Sequence, residues 1–236
     1  MDSLNLIFNE NLIKSKLYDC ESPLRISLKD NFFTSSAVLF SIVPHKEKPY
    51  ELILIHRSNR GTRHRGEMSF PGGKFEVNKD KSLEDTALRE TEEEIGVPRK
   101  NIKILGCLND FPTMTKYIIT PFVAIIDQNQ KLTRQESEVQ RIIKIPIDFF
   151  TSKTRFREQA IDVDGHKFPI FYFNYIDQGN GQKYTVWGAT AYMIVTFIET
   201  LYGFTLSNMG LERFKLEKIK DLKEYIKYRN QITKKF

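Results

Sequence analysis

Apolar residues along this chain fall mostly into short runs bounded by turn residues, and only twice into a long, well-marked helical repeat. Ser36–Val43 and Glu51–His56 predict strands, and Glu67–Phe70 predicts a shorter one running into Pro71-Gly72-Gly73. Strand patterns resume at Ile102–Leu108, Tyr117–Ile126, Val139–Ile145 and Phe168–Tyr175. Between these groups, Leu83–Ile95 repeats with a helical period. Ser82 is its natural N-cap, Asp85 completes a capping box, and Gly96 with Pro98 stops it. A second helix is predicted from Val186 to Tyr202, apolar around most of its circumference and therefore buried. Residues 1–35 read as mixed helix and loop. Strands outnumber helices too heavily for a doubly wound parallel sheet, which needs a helix between most strand pairs. The expected architecture is α+β, a mixed sheet between helices.

Length and composition narrow the picture. A chain of 236 residues fits one domain, here expected as a body over 36–203 with an N-terminal extension over 1–35 and a C-terminal helix over 204–236. At 40% hydrophobic residues a full core is available, which excludes a disordered or collagen-like chain. The net charge of +6 suggests nucleic acid, but nine Lys/Arg against four Asp/Glu lie in residues 211–236, so the rest is almost neutral. In that tail Leu211, Phe214, Ile219, Leu222, Tyr225 and Ile226 share one helix face. An amphipathic helix packed on the body with its lysines solvated is expected, not a nucleic-acid partner. Cys20 and Cys107 are far apart and form no CxxC pair, which argues against a disulfide framework or a structural zinc and for a reducing compartment. The start shows no secretory signal, the apolar stretch 189–204 is too short for a bilayer and contains Glu199, and the final KKF is no peroxisomal signal. A cytoplasmic protein without a membrane partner is expected.

The candidate chemistry lies in Pro71–Val97. On a helix Glu90 and Glu94 stand about 40° apart with Glu93 on their flank, while Glu92 points away. Ala87, Leu88, Thr91 and Ile95 form the neighbouring apolar stripe. Carboxylates at i, i+3 and i+4 repel one another by about 0.2–0.5 kcal/mol per pair. A hard divalent cation is the simplest compensation, and an all-oxygen donor set suits Mg²⁺ or Mn²⁺ rather than zinc. Arg89 is placed to pair with Glu93 and hold its rotamer, and Gly72 and Gly73 leave backbone open to a close-approaching ligand.

This segment resembles the Nudix box, Gly-x5-Glu-x7-Arg-Glu-U-x-Glu-Glu-x-Gly-U with U a bulky apolar residue. Arg89, Glu90, Glu93, Glu94, Gly96 and Val97 match, with Thr91 a weak U. The resemblance implies a Nudix-type βαβ/α sandwich that hydrolyses a nucleoside diphosphate linked to another moiety, using Mg²⁺ or Mn²⁺. One departure stands out: fifteen residues separate Gly73 from Arg89, two more than in the pattern. The first Glu of the pattern falls on Lys79, so its role is either vacant or taken by Asp80.

Immediately upstream, LILIHRSNRGTRHRGEMSFPGG is similar to the signature of the coenzyme A diphosphatase branch. Leu54, Arg57, Ser58, His64, Gly66, Ser69, Phe70 and Pro71–Gly73 match, with Glu67 for the usual Gln and Met68 for the usual Val. The TALRET stretch from Thr86, the TPFVA strand from Thr120, the Glu138-Val139 pair and a late WGATA over Trp187–Ala191 also resemble that branch. It implies cleavage of coenzyme A, or a derivative, to 3′-phosphoadenosine 5′-phosphate and 4′-phosphopantetheine. Arg57, Arg60, Arg63, His64 and Arg65 crowd the approach to the acids and suit so anionic a ligand, although each reads equally well as a solvated loop charge, and His64 as a structural residue.

The resulting assignment takes Glu90 and Glu94 as metal ligands, with Glu93 either a third ligand or the group that orients or deprotonates water. Arg89 and Glu138 complete the catalytic set, Glu138 as second candidate base or as an ordinary strand-edge charge. Arg57, Arg63, His64, Gly72 and Gly73 are the candidate substrate contacts. Two other readings stand beside it. One is Nudix chemistry on ADP-ribose, an oxidised nucleotide or an mRNA cap. The other is a non-catalytic Nudix-fold binding module, against which the retention of all three box acids argues. Homodimerisation through the late apolar helix or the tail is left open.

Overall fold

Thr34–Val43 (β1) is nearly continuous in apolar residues because both of its faces are covered, and it forms the centre of the molecule. This computed structural model describes residues 4–31, 33–58, 66–113, 115–163 and 166–210. Before β1 lies a short helix, Glu10–Lys16 (α1), capped by the Asn9 side chain. After it come Glu51–Arg57 (β2), Met68–Ser69 (β3), Gly72–Lys74 (β4) and the helix Leu83–Ile95 (α2). Ile102–Cys107 (β5), Phe111–Pro112 (β6), Tyr117–Ile126 (β7), Val139–Pro146 (β8) and the short helix Ile147–Thr151 (α3) follow. The remaining elements are Phe156–Val163 (β9), His166–Ile176 (β10), Lys183–Trp187 (β11) and Gly188–Tyr202 (α4).

Strand β1 pairs in parallel with β7 over nine registered positions, Thr34–Ile42 against Tyr117–Ile125, and antiparallel with β2 and β4. β5 and β6 pair with β7, and β3 and β8 with β2, so the mixed sheet has β1 and β7 at its middle. A separate antiparallel sheet runs β11-β10-β9. Alternation along β1 and β2 sends Leu39 and Ile53 to one face and Phe40 and Leu54 to the other. Helix α2 covers the first face through Ala87 and Ile95. Helix α4 and the second sheet cover the other, where the Phe40 ring meets Phe70 and Phe197 at 4.4 and 4.5 Å. The mixed sheet between helices is as expected.

Helix α2 occupies the predicted span. Ser82 Oγ accepts from the Asp85 N–H at 3.1 Å, and Gly96 turns left-handed at φ 70° to end it. The capping box forms only in part, because the Asp85 carboxylate accepts from the Lys81 N–H instead of the cap residue's own. Two expectations are corrected. Val186 and Trp187 belong to β11, paired with Phe173 and Tyr172, and the late helix begins at Gly188; inward Tyr184 and Val186 alternate with period two, which an apolar run conceals. The cysteines are joined, Cys20 to Cys107 across 87 residues. Sequence distance is misleading there, since Tyr18 and Cys107 exchange backbone hydrogen bonds that lay the N-terminal segment along β5. Arg25 extends the same attachment with a buried ion pair to Asp110 at 2.6 Å. The basic tail, 211–236, lies outside the described residues.

Candidate active site

The C-terminal half of α2 brings two carboxylates inward. Glu94, its side chain only 1% exposed, accepts the Gly72 N–H at 2.8 Å and the Arg57 guanidinium at 3.1 Å. Burial pushes its carboxyl up to about 8; Arg57 and the Gly72 N–H oppose the rise, and Glu90 and Glu138 add to it. Glu90 is also raised, first by burial, against the pull of Arg89 and with Glu93 and Glu138 adding to it. Glu93 faces outward, half exposed, with Arg89 Nη1 at 3.1 Å. Glu92 is exposed and turned away, as its helical position requires.

Arg89 is the hub that holds this face together. Its Nε and Nη2 donate to the two oxygens of Asp80 at 2.7 and 3.0 Å, its Nη1 to Glu90 at 2.9 Å, and its Nη2 to the Lys74 carbonyl at 3.2 Å. Asp80 in turn accepts from the Glu76 N–H and the Thr86 hydroxyl. The Arg89 guanidinium holds the Asp80 carboxyl well below the usual carboxylate range. The longer loop before α2 therefore delivers Asp80, not residue 79, to the arginine; Lys79 makes an exposed pair with Glu76.

The glycines explain how helix and strand come so close. A Cβ on Gly72, at φ 155°, would run into the Ala37 carbonyl and the Val38 backbone, and one on Gly73 would overlap the Glu90 carboxylate. Glu138 is carried on the loop that leads into β8. Its loop is clamped to the end of α2 by Gln135 N–H to the Glu94 carbonyl and Thr133 N–H to the Ile95 carbonyl, at 3.0 and 2.9 Å. The Glu138 carbonyl then accepts the Ser58 N–H at 2.7 Å, beside a register shift between His56 and Arg57. Such an irregularity re-aims the side chain that follows it, here Arg57.

The same elements border a cavity of about 620 Å³. Arg57, Gly72, Gly73 and Glu138 line it together with the aromatic residues Phe111, Phe171, Trp187 and Tyr192. The structure thus gathers Arg57, Gly72, Gly73, Arg89, Glu90, Glu93, Glu94 and Glu138 at one place. Arg63 and His64 lie outside the described residues. Sequence reasoning missed the apolar wall altogether, and left Asp80 as an open alternative when the added loop length was its signal.

The donor set fits a hard cation. Fully ionised, Asp80, Glu90, Glu93 and Glu94 would bring four negative charges against the two positive charges of Arg89 and Arg57, and Glu138 would add another. Among the described residues no three such side chains are already drawn into a coordination shell, because the arginines and the Gly72 N–H occupy several of the oxygens. Burial nonetheless holds the Glu90 and Glu94 carboxyls above their usual range, and a divalent ion beside them would favour their ionised, ligating form.

The family model of the NUDIX domain matches residues 34–160, from β1 through most of β9. The "uncharacterized Nudix hydrolase NudL" of Photorhabdus laumondii is 32% identical over 159 residues, covering 67% of this chain and 80% of that protein. Its namesake in Yersinia pestis is 30% identical over 176 residues, covering 73% and 84%. Among solved structures, the NUDIX domain of Shewanella oneidensis NrtR complexed with ADP ribose aligns over 51% of this chain and 76% of that one, at 21% identity and TM-score 0.41. A Caenorhabditis elegans Ap4A hydrolase aligns over 49% and 81%, at 17% identity and TM-score 0.41. With the box acids grouped around Arg89 and the family model spanning more than half its length, the chain belongs to the Nudix hydrolases.

Proposed function

We propose that this Nudix hydrolase cleaves the diphosphate of coenzyme A, or of an acylated or oxidised derivative, to 3′-phosphoadenosine 5′-phosphate and 4′-phosphopantetheine with Mg²⁺ or Mn²⁺. The observation that carries the reading is the cavity itself, whose lining divides between charged side chains with the Gly72–Gly73 backbone and the apolar aromatic groups Phe111, Phe171, Trp187 and Tyr192. A substrate with a charged centre and extended organic arms fits that division. The resemblance of Leu54–Gly73 and of Trp187–Ala191 to the coenzyme A diphosphatase branch supports the same choice.

Nudix hydrolases generally depend on a divalent cation. When bound, it neutralises charge on the phosphoryl oxygens and makes a coordinated water more acidic. Glu90 and Glu94 are its proposed ligands, with Glu93 a third. Arg89 fixes Glu90 and Glu93 in place while itself held by Asp80. Glu138 is the proposed base: its exposed carboxylate is felt by both buried acids, whereas Glu93 is engaged with Arg89. Arg57, Arg63, His64 and the Gly72–Gly73 backbone are the proposed phosphate contacts.

The test is a panel of diphosphates incubated with the full chain and Mg²⁺, with products separated by chromatography. Turnover of coenzyme A to the two named products is expected, with dephospho-coenzyme A poorer by about five- to a hundredfold if an arginine holds the 3′-phosphate. A specificity constant for ADP-ribose a hundredfold above that for coenzyme A would refute the substrate while leaving the hydrolase chemistry in place. Among the described residues no helix is long and apolar enough to cross a membrane. A cytoplasmic location is proposed and is put to the test by the Cys20–Cys107 bond. Denaturing the protein straight from intact cells in alkylating agent, without reductant, yields two labelled thiols from a reducing compartment and none from an oxidising one.

A further inference from the structure

We propose that Trp187 stacks the nucleobase of the substrate, making the strand-to-helix corner of the WGATA segment a specificity element. This corner lies beyond residue 160, where the family match ends. Trp187 is the last residue of β11, and its cross-strand partner Tyr172 lays its ring parallel to the indole at 6° and 6.2 Å. The indole is thus held parallel to a second ring, and the residue is 40% exposed and among those that line the cavity. Gly188 follows with nothing within 4 Å of a Cβ there, which leaves the surface beside the indole bare. The buried Thr190 hydroxyl donates to the Met68 carbonyl at 3.1 Å and fastens this corner to β3, just ahead of the glycine loop.

A flat, pre-oriented π face suits a planar heterocycle, whose stacking loses little side-chain entropy. A flexible apolar arm is better matched by the irregular wall of Phe111, Ile119 and Tyr192 on the same cavity. The inference rests on the substrate being a nucleoside diphosphate derivative, not on that derivative being coenzyme A.

Trp187 is the only tryptophan of the chain, so its fluorescence reports on this position alone. The full-length protein is titrated with AMP, adenosine 3′,5′-bisphosphate, 4′-phosphopantetheine and inorganic diphosphate. Saturable quenching by the two adenine nucleotides, and none by the other two, is expected. In steady-state kinetics on an adenine substrate, Trp187→Ala is expected to raise KM roughly 10- to 100-fold with kcat within about threefold of the parent. Trp187→Phe, which keeps a π face, should recover most of the loss. Quenching by 4′-phosphopantetheine but not by AMP would overturn the assignment, as would an unchanged KM in a folded Trp187→Ala protein. Should ADP-ribose displace coenzyme A as substrate, the quenching and the KM effect are expected with ADP-ribose instead, so the two proposals fail separately.

Discussion

Replacing Asp80 with Asn tests whether the lengthened loop supplies the partner that the helix arginine needs. Both side chains of the Arg89–Asp80 pair are buried, at 7% and 0% exposure, and two hydrogen bonds join them. Breaking a buried pair from one side costs about 3–5 kcal/mol, because the remaining charge stays buried. Arg89 keeps Glu90 and Glu93, and Asn still accepts one bond, so the lower end, about 3 kcal/mol, applies here. For a chain of this size that corresponds to a fall in Tm of about 6–12 °C by calorimetry at neutral pH. The pH dependence has a definite sign. Asp80 is depressed in the folded state, so its contribution is complete above the unfolded carboxyl pKa of about 3.9 and is lost as pH falls below it. The difference between parent and Asp80→Asn should accordingly shrink on acidification below about pH 4. Lys79→Ala, at the position where the box pattern places its first acid, should leave Tm unchanged, since its pair with Glu76 is exposed. An Asp80→Asn protein as stable as the parent, or a Lys79→Ala protein markedly less so, would refute this reading of the loop.

Four further outcomes are expected. Glu90→Gln and Glu94→Gln should each lower kcat by on the order of 10²-fold or more at saturating Mg²⁺, and full activity would remove them from the proposed metal site. Without metal, Glu94→Gln should gain stability relative to the parent as pH rises from about 4.5 toward 8, since over that interval the unfolded carboxyl gives up its proton while the buried one keeps it; equal melting curves would contradict this. Mg²⁺ at a hundred times its Kd should stabilise the parent by about 2.7 kcal/mol and raise Tm by about 5–10 °C, a shift that Glu90→Gln should largely abolish. Reducing the Cys20–Cys107 bond releases an 87-residue span, for which chain entropy sets an upper loss of about 4–5 kcal/mol, read as a lower urea midpoint in dithiothreitol.

Much of this protein is legible locally. Helix α2 follows from its cap, its apolar stripe and its glycine stop, all within a few residues of one another, and helical geometry alone places Glu90, Glu93 and Glu94 on adjacent positions. The strands flanking it announce themselves by apolar runs between turns, and the box pattern names the family because its spacing is itself local. What chain proximity does not encode had to come from the fold. That Asp80 rather than residue 79 reaches Arg89 depends on how the loop closes over β4. That Glu138 joins the site depends on a loop clamped to the far end of α2, and that Cys20 meets Cys107 depends on a bridge spanning 87 residues. Trp187 reads as helix until β10 pairs with it, because an apolar run has the same composition in either state and only its partner fixes the period. Burial is likewise a tertiary property: Glu93 and Glu94 are identical side chains one residue apart, and packing alone leaves one half exposed while pushing the other's carboxyl up to about 8.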